Sequence, residues 1–168
     1  MANQKTLTVG GNTYVFDFVN YILPERDQKG KIIEYCPQDK YKKCDSVPLN
    51  KHGHGSFCKF SVKNAEAKPG VYLWVLEKPV EENNEHIIYI GEAVDLKKRF
   101  SSNGYGGISP KNCFEGGQST NCKMNKVVLE ESKKGNIISL YFYATTEHKK
   151  VEKKLLLNIQ TKYNVKDN

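Results

Sequence analysis

Two short runs of β-branched and aromatic residues are separated by a polar loop that is too short for a helical crossover. The runs span residues 71–76 and 87–90, and the loop contains Pro79 and the pair Asn83-Asn84. Runs of this composition between turn residues are typical of strands. Because parallel neighbours need a crossover of a dozen or more residues, the pair predicts an antiparallel hairpin. An all-parallel, doubly wound sheet is therefore excluded.

The rest of the C-terminal part alternates helices with one further strand. Ala93, Leu96 and Phe100 recur at helical spacing and predict a short amphipathic helix. A second helix is expected to end near Gly135, residues 137–144 have strand character, and a last helix begins at about residue 146. The order β-β-α-α-β-α predicts an α+β fold with a small, mostly antiparallel three-stranded sheet flanked by helices.

The first 66 residues have a different character. Short apolar runs such as residues 14–16 and 31–35 alternate with breaks rich in Pro, Gly and Lys, and no helical period persists. A chain of 168 residues can bury one proper core and carry a modest appendage. We therefore predict an N-terminal extension at residues 1–66 and one domain at residues 67–168.

The chain is basic, with 26 Lys and Arg residues against 19 Asp and Glu, a net charge of +7 and a pI near 9.0. This balance suits a polyanionic partner, because neutralised phosphates release counterions. On charge alone, a Lys-rich protein that is merely soluble fits equally well. Divided at residue 66, the two parts carry +3 and +4, so the positive charge is spread along the chain.

The compartment is predicted from the N-terminus and the cysteines. Residues 1–11 lack the apolar segment of a signal peptide, and no run approaches the roughly 18 apolar residues of a membrane span. Five cysteines, an odd number, favour reduced thiols over a disulfide framework. We predict a cytoplasmic protein without a membrane partner.

Two charged residues have an unusual setting. Arg99 is one of two arginines among the 26 cations, and its planar fork matches phosphate oxygens in a way that lysine does not. Glu152 lies between Val151 and Leu155 in the apolar stripe of the last helix, so it must be paired, protonated or metal-bound. A Mg²⁺ site commonly uses one or two carboxylates. An exposed helical arginine and a glutamate at the edge of the stripe remain open alternatives.

Tyr72 and Tyr89 are each central to a predicted strand. Tyrosine is common in strands, so a structural role is open for both. A phenol titrates near ~10, so a role as a base at neutral pH requires a neighbouring cation or metal-bound water.

Taken together, these residues resemble the signature of the GIY-YIG nucleases. The matching elements are Gly70-Val71-Tyr72, Tyr89-Ile90-Gly91, Arg99 eight positions further on, Glu152 followed by Leu155-Leu156, and Asn164 twelve positions after Glu152. The resemblance covers roughly the last hundred residues. The Gly-, Ser- and Asn-rich residues 105–125 are similar to a subgroup that includes restriction enzymes.

The resemblance implies a role for each residue of the signature. Glu152 would ligate Mg²⁺, for which Mn²⁺ can substitute, and Arg99 would stabilise charge on the reacting phosphate. Tyr72 would accept a proton from the attacking water, while Tyr89 orients the phosphate or shares that task. Asn164 would hold the metal-binding helix or a loop in place.

Two positions depart from the family pattern. The family often has His or Tyr four residues after the arginine, where this chain has Asn103, and Tyr105 is the candidate substitute. Glu92 follows the second motif where some relatives have Lys, which reverses the charge at that position.

Further polar residues are candidates for DNA contacts or for zinc. The DNA candidates are Lys42, Lys43, Lys111, Lys123, Lys126, Gln118 and Asn121, with plain solvated side chains as the alternative, and residues 1–66 are a candidate recognition element. Cys36, Cys44, His52, His54 and Cys58 include no Cys-x-x-Cys pair, so ordinary reduced cysteines are preferred over a zinc site.

We therefore expect a metal-dependent DNA endonuclease that hydrolyses phosphodiester bonds, and specifically a type II restriction endonuclease that cuts double-stranded DNA at a defined site. A homodimer is expected, because a single metal site cuts one strand at a time. Two alternatives remain: a repair or mobile-element nuclease that nicks DNA by its structure, and a catalytically silent DNA-binding module.

Overall fold

The computed structural model describes residues 3–37, 55–77, 85–113 and 118–164. Its strands are β1 (Gln4–Val9), β2 (Asn12–Ile22), β3 (Glu34–Tyr35), β4 (Phe57–Cys58), β5 (Gly70–Glu77), β6 (Glu85–Ala93) and β7 (Ile137–Ala144). Its helices are α1 (Leu96–Arg99), α2 (Ser119–Lys133) and α3 (His148–Asn158), with a 3-10 helix at Pro110–Cys113. The chain forms two compact units: unit 1 comprises Met1–Ile22, Lys63–Lys97 and Asn136–Asn168, and unit 2 comprises Leu23–Val62 and Lys98–Gly135.

Unit 1 contains a five-stranded antiparallel sheet with the order β1-β2-β7-β5-β6. The predicted strands at residues 71–76, 87–90 and 137–144 are confirmed, as is the antiparallel pairing of the first two. The predicted three-stranded sheet is wrong, because β1 and β2 of the N-terminal segment continue the sheet beyond β7. The α+β class is retained with a larger sheet.

The prediction that helices flank the sheet is also wrong. Ala93 is the last residue of β6, so the helix predicted from it shortens to the four residues of α1. The long helix α2 belongs to unit 2. In unit 1, α3 packs Val151 and Leu155 into the same apolar cluster as Val71, Leu73 and Ile90 of the sheet.

Unit 2 is built around β3, β4 and α2. The strands β3 and β4 pair antiparallel, and the core contains Phe57, Ile108, Cys113 and Cys122. As predicted, α2 ends next to Gly135, whose φ of +81° suits glycine at a helix end.

A buried asparagine ties three backbone groups of unit 2 together. Asn125 of α2 accepts a hydrogen bond from the Cys58 N–H at 3.0 Å. Its amide nitrogen donates to the Cys58 carbonyl at 2.8 Å and to the Tyr105 carbonyl at 2.9 Å. The side chain therefore joins β4 to the loop that carries Tyr105.

In the part of the chain that the structure describes, no helix is long and apolar enough to cross a membrane.

Candidate functional site

The two tripeptide motifs of unit 1 face each other across one strand pair. Tyr72 of β5 is paired with Gly91 of β6, and Trp74 is paired with Tyr89. Because side chains alternate along a strand, these residues share one face of the sheet. The ring centroids of Tyr72 and Tyr89 are 6.3 Å apart, and those of Trp74 and Tyr89 are 6.0 Å apart. Tyr72 is buried and Tyr89 is half-buried.

Both motif glycines are required by close contacts. A Cβ on Gly91 would lie 2.4 Å from the Tyr72 ring, which crosses directly over this position. A Cβ on Gly70 would lie 2.3 Å from the Tyr143 carbonyl oxygen and 2.4 Å from the Phe142 ring. A Cβ atom cannot lie this close to another heavy atom. Gly91 therefore allows the Tyr72 ring to approach β6, and Gly70 allows β7 to approach β5.

The contact between Gly91 and Tyr72 gives a testable double-mutant cycle. Gly91→Ala is expected to destabilise the protein by about 1–3 kcal/mol, because the added methyl group overpacks the Tyr72 ring. In a Tyr72→Ala background the same change should cost close to nothing, since the ring is gone. Urea unfolding of the four proteins measures the coupling. Equal losses of unfolding free energy in both backgrounds would show that the Tyr72 ring does not limit the size of the side chain at position 91.

The helix that carries Glu152 packs on the opposite face of the same strands. Val151 and Leu155 belong to the same apolar cluster as Val71 and Leu73, which alternate with Tyr72 along β5. The sheet therefore separates the buried side of α3 from the rings of Tyr72 and Tyr89. Glu152 itself is half-buried.

A histidine–carboxylate pair joins the start of α3 to β6. The Nδ1 atom of His148 is 2.5 Å from the Oε2 atom of Glu92, and the side chains are only 12% and 24% exposed. His148 precedes Glu152 by four residues, so both lie on one face of the helix. Glu92, which departs from the family pattern, is thus engaged with α3.

Asn164 holds the outer edge of β6. Its Oδ1 atom accepts from the Ile90 N–H at 2.8 Å, and its Nδ2 atom donates to the Ile90 carbonyl at 2.7 Å. The Tyr163 N–H adds a bond to the Ile88 carbonyl at 3.0 Å. The C-terminal segment thus satisfies the edge strand that carries the second motif; its role in holding the metal-binding helix stays a prediction.

Arg99 and Tyr105 interact with each other within unit 2. The guanidinium carbon of Arg99 lies 5.6 Å from the Tyr105 ring centroid, and the Tyr105 N–H donates to the Arg99 carbonyl at 2.9 Å. Tyr105 is buried, also against Phe100, whereas Arg99 is half-buried. This geometry supports a cation–π contact that orients the guanidinium. The predicted role of Tyr105 in catalysis stays a prediction.

The candidate DNA contacts have different environments. Lys42 and Lys43 lie outside the described residues. Lys111 and Gln118 are exposed, Lys123 and Lys126 are half-buried, and Asn121 is buried with a hydrogen bond to Gln118. The Lys126 ammonium lies 4.9 Å from the Phe57 ring centroid. DNA contact by these side chains stays a prediction.

Potential metal-ligating side chains are scattered over the part of the chain that the structure describes. No cluster of three or more His, Cys, Asp or Glu side chains is placed to hold a metal there. Of the zinc candidates, Cys44, His52 and His54 lie outside the described residues. Cys58 is buried, and burial raises the pKa of its thiol to about 12, so it is protonated at neutral pH. A single carboxylate at Glu152 still meets the usual requirement of Mg²⁺, which completes its shell with water and phosphate.

The positive charge divides unequally between the two units. Unit 2 contains 15 Lys and Arg residues against 8 Asp and Glu, a net charge of +7. Unit 1 contains 11 of each and is neutral. The spread of charge that the sequence suggests thus corresponds to one strongly basic unit assembled from two separate segments.

Sequence reasoning missed His148 and Asn125. Signals for both exist: His148 is one helical turn before Glu152, and Asn125 interrupts the apolar residues Met124, Val127 and Val128. Comparison with known proteins adds no further assignment: no protein-family model, no curated protein and no solved structure matches the chain.

Proposed function

We propose that this chain is a divalent-metal-dependent DNA endonuclease that hydrolyses phosphodiester bonds, acting in the cytoplasm as a type II restriction enzyme. The observation that supports the proposal is the packing of the two motifs, in which Tyr72 crosses Gly91 and lies beside Tyr89. The two tripeptide motifs that contribute to the resemblance to a GIY-YIG nuclease thereby pack against each other across one strand pair. Glu152 belongs to the helix on the other face of these strands, and Arg99 belongs to unit 2. A net charge of +7 on unit 2 suits a DNA substrate.

In this proposal each side chain has a separate role in hydrolysis. Glu152 would provide the carboxylate oxygen that holds Mg²⁺ or Mn²⁺, and the ion would supply Lewis-acid stabilisation of the scissile phosphate. Arg99 donates hydrogen bonds to phosphate oxygens as negative charge develops. One of Tyr72 and Tyr89, as the phenolate, would accept the proton of the attacking water while the water oxygen bonds to phosphorus and the bond from phosphorus to the leaving oxygen breaks. The other tyrosine would orient the phosphate. We propose a homodimer, because two such sites are needed to cut both strands.

A catalytically silent DNA-binding module is the second candidate, and the basic character of unit 2 favours it specifically. That charge accounts for attraction to DNA without requiring any cleavage chemistry.

Plasmid digestion distinguishes these functions. Purified chain is incubated with a sequenced supercoiled plasmid in Mg²⁺, in Mn²⁺ and in EDTA, and the ends are mapped. Discrete linear fragments are expected in the reactions that contain Mg²⁺ or Mn²⁺, and none are expected in EDTA. Nicked circles, with a preference for branched substrates, would replace the restriction enzyme by a nicking nuclease. Intact plasmid in both metals, with a retained shift of DNA mobility, would replace it by the silent module.

A further inference from the structure

Unit 2 contains a cleft, lined by both polar and apolar groups, that the proposed chemistry does not use. Its volume is about 430 Å³, within the range of small-molecule sites. The side chains that matter for its chemistry are Glu25, Tyr35, Lys59, Ser102, Asn103 and Asn112. None of them belongs to the predicted catalytic set.

The walls of the cleft are held by hydrogen bonds. The Tyr35 hydroxyl accepts from the Ile108 N–H at 2.6 Å and donates to the Ile108 carbonyl at 3.1 Å. The Ser109 hydroxyl donates to the Asn112 Oδ1 atom at 2.7 Å. The Glu25 N–H donates to the Lys59 carbonyl at 2.8 Å, which fixes these two residues beside each other. The polar groups therefore project from an ordered frame, as recognition sites require.

Several of these polar groups lack a bonding partner among the described residues. The Glu25 carboxylate and the amide nitrogens of Asn103 and Asn112 have no hydrogen-bond or ion-pair partner there. The Lys59 ammonium contacts only the face of Tyr35 there, at 5.7 Å from the ring centroid. Within the described residues, the cleft thus presents an anionic acceptor, a cationic donor and two amide donors.

This combination selects a class of ligand. A phosphate group would be repelled by Glu25, and an apolar ligand would form no hydrogen bonds with the polar groups. A nucleobase presents donors and acceptors along one edge and has a flat apolar body. The charge of +7 on the same unit attracts the DNA strand that would carry such a base.

We propose that this cleft contacts the hydrogen-bonding edges of two neighbouring bases of the DNA substrate and so determines sequence preference, an inference that rests on the proposed function. Glu25 accepts a hydrogen bond from the exocyclic amino group of cytosine, and Lys59 donates to a guanine acceptor. These pairings follow the usual matches between side chains and bases.

Selection of bound DNA from a random duplex library tests the proposal. The full chain is used in EDTA, so that binding is read without cleavage. The wild type is expected to select a defined motif. Glu25→Gln should change the preference at one position from cytosine towards adenine by about tenfold, because an amide pairs with adenine. Lys59→Met should weaken a guanine preference at another position.

The matched control is Glu130→Gln, an exposed glutamate of α2 outside the cleft with the same charge change. It should leave the motif unchanged. Circular dichroism checks folding, and the Lys59→Met result decides the matter if Glu25→Gln does not fold. A motif that stays the same in both cleft variants overturns the proposal, as does the absence of any motif in the wild type.

A further arm separates a base of DNA from a free nucleotide. Each of the four deoxynucleoside monophosphates is added at millimolar concentration as a competitor, and no displacement of DNA is expected. Displacement by one of them would overturn the DNA assignment. Plasmid cleavage is scored separately: motif selection without cleavage contradicts the endonuclease alone, and cleavage at positions that Glu25→Gln does not alter contradicts the cleft alone.

Discussion

Replacing Glu152 by glutamine is expected to reduce Mg²⁺-dependent DNA cleavage by about 10³-fold, because the metal contributes several kcal/mol of transition-state stabilisation. Glutamine retains the shape of the half-buried side chain but supplies a neutral amide in place of an anionic ligand. Single-turnover cleavage in Mg²⁺ measures the effect. Binding in EDTA should stay within about twofold of the wild type, since binding depends mainly on phosphate contacts.

The matched control is Glu147→Gln, which removes the same charge from an exposed residue directly before α3. It should cleave at the wild-type rate. If Glu152→Gln also cleaves at that rate, Glu152 is not the metal ligand. If both variants lose activity together, the loss reflects the charge near α3 and not metal coordination.

Asn125→Ala is expected to have the largest effect on stability, about 3–5 kcal/mol. The change removes three hydrogen bonds at once, and the Cys58 N–H, the Cys58 carbonyl and the Tyr105 carbonyl lose their partner inside the protein. Since whole domains are stable by about 5–15 kcal/mol, unit 2 would be close to unfolding. Urea denaturation measures the loss.

Asn158→Ala is the matched control for Asn125→Ala. Asn158 also donates to a backbone carbonyl, that of Lys154 at 2.8 Å, but it is exposed and water can replace the bond. Its expected effect is within about 0.5 kcal/mol. A similar small effect for Asn125→Ala would mean that water reaches the three backbone groups.

The strands nearest the motifs were predictable because their signals are local. Residues 71–76, 87–90 and 137–144 carry β-branched and aromatic runs bounded by turn residues. β1 and β2 were missed because β2 pairs with β7, more than 100 residues later, and no local pattern reveals such a partner. The available signal was the alternation of Tyr14, Phe16 and Phe18 after the Gly10-Gly11 turn.

The helix predicted from Ala93 failed because a short helical pattern coincided with the end of a strand. Ala93, the last residue of β6, pairs with Gly70 of β5 and is buried, so its side chain packs as part of the sheet. Only Leu96 and the next three residues remain for α1. Three apolar positions are too few to separate a helix from a strand followed by a turn.

The candidate site could be predicted only where its residues form patterns that are local in the sequence. The tripeptide motifs and the spacing of Arg99, Glu152 and Asn164 are linear features. The cleft is not, because Glu25 and Lys59 lie in one segment of unit 2 and Asn112 in another. For the same reason, the two parts of the sequence divided at residue 66 have similar net charges of +3 and +4, whereas unit 2 of the folded chain has a net charge of +7 and unit 1 is neutral.

The late position of β7 and α3 also affects how the protein is made. The hairpin of β1 and β2 leaves the ribosome roughly 6–23 s before β7, the strand that covers its inner edge, at ordinary rates of synthesis. During that interval an unpaired edge is open to aggregation, so chaperones are expected to bind the nascent chain. Glu152 is translated later still. If the chain is a nuclease, prematurely terminated products would therefore be harmless to the DNA of the cell that produces them.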